Sequence, residues 1–279
     1  MPSHPNIHTY YDHTRFDYRF VWNSGRTRAV HFGYYDDHAQ RHHHALDNLN
    51  RALANLAAIR PGEQVLDAGC GLGGSCFWLA EHRQAQVTGI SIVKGQIADC
   101  RRFLAKNNFS LVDFEVADYC HTPFPDASFD VVWACESLCH ATQKADFYRE
   151  AYRVLRPGGR LVLAEYLRKS RPHTPRGEQL LEEWLRPWAI PDLDTAEEHR
   201  AHAQAAGFTH LVITDATAQV RVSLRNLRDL SLRWLPYGKV LHFIGLVSTV
   251  RLNNVHASIR QYEALEEGAW KYGVLLAVK

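Results

Sequence analysis

The sequence predicts a doubly wound α/β fold around a mostly parallel sheet of seven strands. Short apolar runs alternate with amphipathic patterns over much of the chain, and a glycine-rich turn joins the first run to a helix. Two further apolar runs lie near the end of the chain. With 279 residues, of which 46% are hydrophobic, the chain is long enough to bury a large core.

The first predicted element is a helix that ends near Ile59. Its residues Leu46, Leu49, Leu53 and Leu56 recur at spacings of three and four, so they are expected to share one face. Apolar runs bounded by turns or helical patterns then predict strands. The seven predicted strands are Gln64 to Asp67, Gln86 to Ile90, Phe114 to Ala117, Asp130 to Glu136, Arg160 to Glu165, residues 210 to 216, and Gly273 to Val278.

Helical patterns fill the intervals between these strands. The predicted helices run from Gly74 to His82, from Val93 to Lys106, from Lys144 to Leu155 and over residues 195 to 206. Because strands and helices alternate through the first five strands, we expect those strands to be parallel and covered by helices on both faces. The roughly 55 residues before the last strand are also predicted to be mostly helical.

The composition excludes several classes of protein. Lys and Arg total 32 against 30 Asp and Glu, so nucleic acid is not expected as a partner. The six cysteines contain no CxxC pair, so no metal site is expected and a cytoplasmic location is predicted. The opening segment lacks the apolar core of a signal peptide, and Val240 to Val250 is shorter than the roughly 20 residues of a membrane span. The oligomeric state stays open.

The segment from Val65 to Gly74 is a strand that enters a glycine-rich turn and then a helix. Gly69, Gly71 and Gly74 match the dinucleotide fingerprint, which leaves a nicotinamide-dependent dehydrogenase as one alternative. The carboxylate of Asp67 would repel a pyrophosphate and attract an ammonium group. Ser91 occupies the end of the second strand, where a dinucleotide site has an acidic residue. Both features favour a ligand other than a dinucleotide.

Polar residues follow the third and fourth predicted strands. Asp118 and Tyr119 offer an acceptor for the exocyclic amine of an adenine and an apolar flank for its ring. Cys135 to His140 follows the fourth strand, and Leu155 to Leu161 turns into the fifth. These four segments, in this order and spacing, resemble the class I S-adenosylmethionine-dependent methyltransferases over residues 60 to 167.

A closer resemblance is to the tocopherol, sterol and cyclopropane-lipid C-methyltransferases. The segments that carry it are Gly89 to Gln96, Ala134 to Ala141, Thr9 to Asp12 followed by His31 to Tyr35, Trp184 to Thr195 and Gln261 to Tyr272. In those families a hydroxyl residue and a glutamine contact the ribose and the adenine edge. The resemblance implies this cofactor-binding set: Tyr11, Asp67, Gly69, Cys70, Gly71, Ser91, Ile92, Gln96, Asp118, Tyr119 and Cys135.

The predicted organisation has four parts. They are an N-terminal lid and helix (1–59), the S-adenosylmethionine-binding core (60–167), a helical cap insertion (168–194), and the rest of the core sheet (195–279), which carries a helical insertion on the substrate side at about 218–270. Tyr35, Trp184 and Trp188 are expected to line an apolar acceptor pocket in the lid and cap.

Glu136 and His140 are the candidate catalytic residues. The favoured reaction is transfer of a methyl group from S-adenosylmethionine to a carbon of a small lipophilic, isoprenoid-like acceptor, which leaves S-adenosylhomocysteine. Glu136 or His140 would then remove a proton from the methylated cation. The alternatives are O- or N-methylation with His140 as the base, and a related binding protein without turnover.

The sequence also contains two basic clusters. Arg221, Arg225 and Arg228 stand at positions i, i+4 and i+7, so they are expected to share one helix face that could bind a diphosphate. A solvated charged face is the commoner explanation of such a pattern. The run His42 to His44 is interpreted as a solvated face and not as a metal site.

Overall fold

A computed structural model of the chain describes residues 27–107 and 109–279. Their centre is a seven-stranded sheet in the order β3-β2-β1-β4-β5-β7-β6. The strands are β1 (Gln64–Ala68), β2 (Gln86–Ser91), β3 (Val112–Val116), β4 (Phe129–Cys135), β5 (Leu155–Arg168), β6 (Thr209–Asp215) and β7 (Trp270–Val278). The predicted fold class is confirmed.

Helices cover the sheet and extend beyond one of its edges. They are α1 (His42–Leu56), α2 (Gly74–Arg83), α3 (Lys94–Asn107), α4 (Lys144–Val154), α5 (Pro175–Leu185), α6 (Ala196–Ala206), α7 (Thr217–Phe243) and α8 (Thr249–Glu266). A short 3-10 helix, Leu138–His140, follows β4. Two buried apolar clusters fill the space between the sheet and its helices.

The pairing of the strands explains where the carboxyl ends of the strands meet. Strands β1 to β5 pair in parallel, and β7 pairs antiparallel with both β5 and β6. The ends of β1, β2 and β4 therefore lie along one edge, which is where open α/β sheets bind ligands. The long β5–β7 pairing aligns Tyr166 with Tyr272 as direct neighbours across the two strands.

Several predicted boundaries shift in the structure. Strand β5 extends beyond both ends of the predicted run, because Leu155 pairs with Phe129 of β4 and the pairing with β7 continues to Arg168. Leu46, Leu49 and Leu53 are fully buried on the predicted face of α1, but Leu56 is 36% exposed. Leu56 is the last residue of α1.

Residues 28–35, which we call the strap, cross the glycine-rich turn after β1. The Arg28 side chain donates from Nε to the carbonyl oxygen of Leu72, 2.7 Å away. The strap is also held by backbone hydrogen bonds: the Tyr34 N–H donates to Ala45 and the Tyr35 N–H to Gln219, over 2.8 and 2.9 Å. The strap thus connects the turn, α1 and α7.

The segment after β5 contains helix α5. Thr174 caps this helix through its hydroxyl, and Arg168 forms ion pairs with Glu178 and Asp192, so the segment is fixed to the end of β5. Helices α7 and α8 form a hairpin between β6 and β7. In the described part of the chain, no helix has the combination of length and apolar character that would let it cross a membrane.

The packing of the strap predicts opposite effects for two glycine substitutions. A Cβ atom at Gly74 would lie 2.8–2.9 Å from backbone atoms of Arg28 and Ala29, whereas one at Gly238 in α7 would meet Leu252 at an ordinary 3.5 Å. We expect Gly74→Ala to lower the free energy of unfolding by about 1–3 kcal/mol through overpacking. Gly238→Ala should raise it by about 0.5–1 kcal/mol. Urea titration checks both, and equal effects of the two variants would contradict the packing argument.

Candidate active site

A cavity of about 530 Å³ opens at the carboxyl edge of the sheet. The loops after β1, β2, β3 and β4 form its floor, and the α7–α8 hairpin forms the opposite wall. Eleven of the residues predicted from the sequence line it: Gly69, Gly71, Ser91, Ile92, Gln96, Asp118, Tyr119, Cys135, Glu136, His140 and Trp188. The strands therefore bring most of the predicted cofactor and catalytic residues to one place.

The glycine-rich turn has a shape that side chains would prevent. Gly69 has a φ of +94°, and a Cβ atom there would lie 2.4 Å from Cβ of Ser137. The backbone N–H groups of Gly69 and Cys70 both donate to the carbonyl oxygen of Ile90, over 3.0 and 2.9 Å. The turn is thus fixed against β2, and Gly69 and Gly71 expose backbone to the cavity.

The end of β2 carries a hydroxyl and an amide that are already connected. The Ser91 hydroxyl donates to Oε1 of Gln96 over 2.8 Å and accepts from the backbone N–H of Val93 at 3.1 Å. These bonds hold Ser91 and Gln96 side by side on the cavity wall. The pair offers polar groups of the kind that bind the hydroxyls of a ribose.

Asp118 and Tyr119 form the next part of the floor. Oδ1 of Asp118 accepts the backbone N–H of Cys120 over 2.8 Å, which fixes the carboxylate in a tight turn. The Tyr119 hydroxyl donates to the carbonyl oxygen of Ser137 over 3.1 Å. A carboxylate and a fixed aromatic ring are therefore adjacent at the cavity, as an adenine site requires.

Glu136 is held by three hydrogen-bond donors. Its Oε1 accepts the Phe32 backbone N–H at 2.8 Å and the Tyr272 hydroxyl at 2.7 Å, and its Oε2 accepts the Tyr166 hydroxyl. Burial raises the pKa of Glu136 to about 7, although the three donors oppose that shift. The residue adopts a φ of +51°, a costly conformation that turns it from the end of β4 toward these donors.

The sequence predicted Glu136 at this edge but gave no sign of its partners. Tyr166 and Tyr272 lie 106 residues apart in the chain, and only the β5–β7 register makes them neighbours on one face of the sheet. Phe32 reaches the carboxylate from the strap. No local pattern marks such a set, because each member is an ordinary aromatic residue in its own segment.

A second buried carboxyl group lies beneath the first. Glu165 accepts the backbone N–H groups of Cys139 and Tyr166, both at 2.8 Å. Burial is the main cause that raises the pKa of Glu165 to about 7, and the nearby Glu136 acts in the same direction. Glu165 thus anchors the 3-10 helix that carries His140 and the strand position that carries Tyr166.

His140 ends the 3-10 helix and lines the cavity. Its Nδ1 lies 3.2 Å from the carbonyl oxygen of Ala189, which can only accept, so Nδ1 carries the proton and Nε2 is the basic nitrogen. The residue that fixes this tautomer lies in the segment after α5. The sequence indicated His140 but not Ala189, because the contact joins residues 49 positions apart.

Four predicted site residues lie outside the cavity wall. Asp67 is buried behind the glycine-rich turn, where its carboxylate accepts from the Cys76 thiol at 3.1 Å and burial raises its pKa to about 7. Cys70 is buried beside it. The expectation that Asp67 would face a ligand's ammonium group is therefore corrected: its position on β1 directs the side chain toward α2.

The other two corrections concern the predicted acceptor pocket. Tyr35 lies between α1 and α7, where its hydroxyl contacts His42 and Asn226 at 3.2 and 3.3 Å. Trp184 is fully buried, packed against Trp270 with ring centroids 4.9 Å apart. Trp184 belongs to the core because α5 turns this face toward the sheet, and only Trp188 reaches the cavity. Tyr11 lies outside the described residues.

The arginine cluster of α7 lies away from the cavity wall. Arg221 forms an ion pair with Glu266, and Arg228 pairs with Asp229 and covers the ring of Tyr262 at 4.4 Å. These side chains belong to the α7–α8 contact and do not line the cavity. Acidic partners of the same hairpin neutralise Arg221 and Arg228.

The sequence did not indicate which residues of α7 and α8 form the cavity wall. This wall contributes mainly apolar side chains, with a polar row on α8 at spacings of three and four. The residues are Leu227, Leu230, Trp234, Leu241, Arg251, Asn254, Val255 and Ser258. The spacing of Arg251, Asn254 and Ser258 in the sequence could have indicated that they share one face of a helix. Among the described residues, no cluster of His, Cys, Asp and Glu could hold a metal ion.

The structure is an α/β fold with a large cavity at the carboxyl edge of its sheet. The chain belongs to the class I S-adenosylmethionine-dependent methyltransferases. A family model described as "Methyltransferase domain" matches residues 66–163, and a known methyltransferase that is 38% identical to this chain is matched over 71% of its length. The family resemblance predicted from the sequence is confirmed, and the dehydrogenase alternative is not supported.

Three comparisons illustrate the range of the family. The chain is 38% identical over 198 residues to 27-O-demethylrifamycin SV methyltransferase of Amycolatopsis mediterranei (strain S699), which covers 70% of this chain and 71% of that protein. It is 34% identical over 159 residues to 24-methylenesterol C-methyltransferase 2 of Oryza sativa subsp. japonica, covering 56% and 44%. Geranyl diphosphate methyltransferase in complex with GPP and sinefungin superposes with a TM-score of 0.76 at 19% identity, covering 100% and 99%.

The geometry of the floor predicts an effect on cofactor affinity. Asp118→Ala should weaken binding of S-adenosylmethionine and of S-adenosylhomocysteine equally, by about 1–3 kcal/mol, because a charged hydrogen-bond acceptor is lost. The matched control is Asp113→Ala, which replaces an exposed aspartate on β3. Calorimetry measures both affinities. Unchanged dissociation constants for Asp118→Ala would remove this residue from the site.

The buried Glu136 also predicts a pH dependence of stability. Its pKa is about 7 in the folded chain and 4.5 ordinarily, so its protonation stabilises the fold at low pH and this contribution is lost as the pH rises from 4.5 through 7. Relative to Glu136→Gln, the wild-type free energy of unfolding should fall by about 3 kcal/mol between about pH 5 and about pH 8. Urea titrations measure this difference.

The control for that experiment is Glu81→Gln, which removes an exposed carboxylate of α2. Its stability should follow the wild type across the pH range, since Asp67 and Glu165 titrate in both proteins. A parallel pH profile for Glu136→Gln and the wild type would contradict the buried, proton-binding state of Glu136.

Proposed function

We propose that the chain methylates a hydroxyl oxygen of a largely apolar small molecule, with His140 as the general base. The observation that carries this proposal is the position of His140 on the cavity wall, where its Nδ1–H donates to the carbonyl oxygen of Ala189 and Nε2 is the basic nitrogen. Both oxygens of Glu136 accept hydrogen bonds from the strap, β5 and β7, which suits a structural role for that carboxylate. Histidine is the side chain most often used as a general base.

The cofactor fits the donor set of the floor. Gly69 and Gly71 would border the cofactor, Ser91 with Gln96 would contact its ribose, and Asp118 would accept from its adenine. S-adenosylmethionine, when bound, supplies a methyl group on a positively charged sulfur that is already a good electrophile. The protein therefore has to align the acceptor, exclude water and take up one proton.

The protein's own groups divide these tasks. His140 would take the hydroxyl proton of the acceptor onto Nε2 as the new C–O bond forms, and its Nδ1–H would stabilise the resulting imidazolium through Ala189. Glu136 would hold Tyr166, Tyr272 and the strap in place. The apolar side chains of α7 and α8 would cover the acceptor and keep water away.

The character of the acceptor follows from the wall opposite the floor. Leu227, Leu230, Trp234 and Leu241 favour an apolar molecule, and the cavity has room for a ligand beside the cofactor. The printed name of the relative at 38% identity describes an O-methylation, which supports oxygen as the methylated atom.

Carbon methylation of an alkene is the second candidate, and a specific observation favours it. Glu136 has a pKa near 7 and lines the cavity together with the rings of Phe32, Tyr166 and Trp188. Aromatic faces stabilise a nearby cation by about 0.5–2 kcal/mol each, and a carboxylate could then remove the proton that restores the double bond. The name of the sterol relative is consistent with this chemistry.

The variants His140→Ala and Glu136→Gln separate the two reactions. For O-methylation, His140→Ala should lower kcat about 10²–10⁴-fold without changing cofactor affinity, because a general base is removed. The matched control is His82→Ala, an exposed histidine of α2, which should retain wild-type kinetics. The substrates are a panel of apolar alcohols, phenols and prenyl compounds.

The products give the second readout. With an isotope-labelled methyl donor, O-methylation places the label in a methoxy group, whereas the carbon reaction places it in an alkyl group. If Glu136→Gln abolishes turnover at unchanged cofactor affinity and His140→Ala leaves it intact, with the label on carbon, the second candidate replaces the first.

A further inference from the structure

The tip of the α7–α8 hairpin, residues 232–247, is unusually apolar on its outside. Among the described residues, seven of the eleven exposed large hydrophobic side chains lie in this short segment. Phe243 is 91% exposed, the highest value of the group. The seven are Leu232, Trp234, Tyr237, Val240, Phe243, Ile244 and Leu246. Contiguous exposed apolar surface of this kind marks an interaction site.

The tip is formed by the end of α7 and the turn that leads into α8. Trp234, Tyr237, Val240 and Ile244 follow one another at spacings of three and four, so they form a stripe along the end of α7. Nδ1 of His242 donates to the carbonyl oxygen of Val247 over 2.8 Å, and the Ser248 hydroxyl caps α8. The hairpin therefore presents these side chains on a fixed frame.

The charged residues of the tip segment itself are basic. Residues 230–262 contain no aspartate or glutamate, although the whole chain has 30 of them, and Arg233 and Lys239 lie within the tip. Arg260, toward the other end of α8, pairs with Glu183 and Glu263 and does not contribute to the tip. Arg233 and Lys239 are exposed beside the apolar stripe, and within the described residues neither forms an ion pair. The tip is thus a cationic, amphipathic surface.

The apolar surface is continuous with the cavity. Trp234 and Leu246 are exposed at the tip and also line the cavity, together with Leu241 and Val247 from the same segment. A lipophilic molecule that reaches the tip would therefore meet apolar side chains along the path to the floor of the site. This continuity distinguishes the tip from an ordinary contact surface.

We propose that the hairpin tip binds the surface of an anionic membrane, so that the cavity opens toward the lipid. Interfacial helices combine an apolar face with flanking Lys and Arg, and aromatic residues such as Trp234 and Tyr237 favour the boundary between headgroups and acyl chains. The absence of acids over 33 residues favours anionic headgroups over a second copy of this chain, whose tip would carry the same positive charge. This surface binding does not depend on which atom is methylated.

Vesicle flotation of the whole 279-residue chain tests the proposal. The probes are vesicles of phosphatidylcholine alone and equimolar mixtures of phosphatidylcholine and phosphatidylserine. We expect binding to the mixed vesicles that weakens with salt. Arg233→Gln/Lys239→Gln should reduce that binding about 25-fold, from about fivefold for each cation. Arg60→Gln/Lys106→Gln removes the same charge elsewhere on the surface and should bind like the wild type.

A second pair of variants tests the apolar part of the surface. Phe243→Ser/Ile244→Ser changes two exposed residues that do not line the cavity, and it should reduce binding to the mixed vesicles more than tenfold, since about one-third of the exposed apolar side chains is lost. Val212→Ser on β6 is the matched control and should bind normally. Thermal unfolding verifies that every variant folds, which keeps the comparison valid.

Three outcomes would overturn the proposal. In the first, the wild-type protein does not float with either kind of vesicle. In the second, both tip variants float as well as the wild type does. In the third, sedimentation shows a dimer that Phe243→Ser/Ile244→Ser dissociates, and the protein does not bind vesicles. The third outcome would assign the tip to contact between copies of this chain. Methyl transfer to a water-soluble acceptor is measured separately, so failure of the membrane proposal and failure of the methylation proposal give different results.

Discussion

The buried carboxylate of Glu136 is the interaction on which the rest of the site depends. Its three donors come from the strap, β5 and β7, segments that are far apart in the chain. A carboxylate without these donors would be too costly to bury, and a buried donor without the carboxylate would cost about 1–3 kcal/mol. The strap, the sheet and the cavity wall are therefore stabilised together, although each is formed by a different part of the sequence.

The strap depends in turn on the glycine-rich turn beneath it. At Gly74 the backbone of residues 28 and 29 occupies the space where a side chain would stand, and Gly71 leaves similar room for Val30. The glycines thus serve two purposes that a fingerprint does not separate. They let the backbone face the cavity, and they let the strap approach closely enough for the Phe32 N–H to reach Glu136.

Local patterns were sufficient to predict the floor of the site. Gly69, Ser91 and Asp118 each lie at or just after the end of a strand. Parallel pairing brings the ends of those strands together, so a correct strand order places the three residues at one edge. The orientation of Asp67 was not predictable in this way, because its contact with Cys76 depends on how α2 packs. The acceptor wall was predicted only as a helical insertion, since the positions of α7 and α8 follow from long-range packing.

The register of β5 and β7 connects the two halves of the enzyme. Strand β7 carries Tyr272 opposite Tyr166, and the α7–α8 hairpin is inserted directly before this strand. The same antiparallel pairing therefore fixes the donors of Glu136 and the C-terminal end of the acceptor wall. Changes near the hairpin tip leave that pairing intact, because the tip lies at the opposite end of both helices. The residues of the acceptor wall can therefore vary while the floor of the cavity and Glu136 keep their geometry. This independence of the wall from the floor is a physical basis for different acceptors on one methyltransferase scaffold.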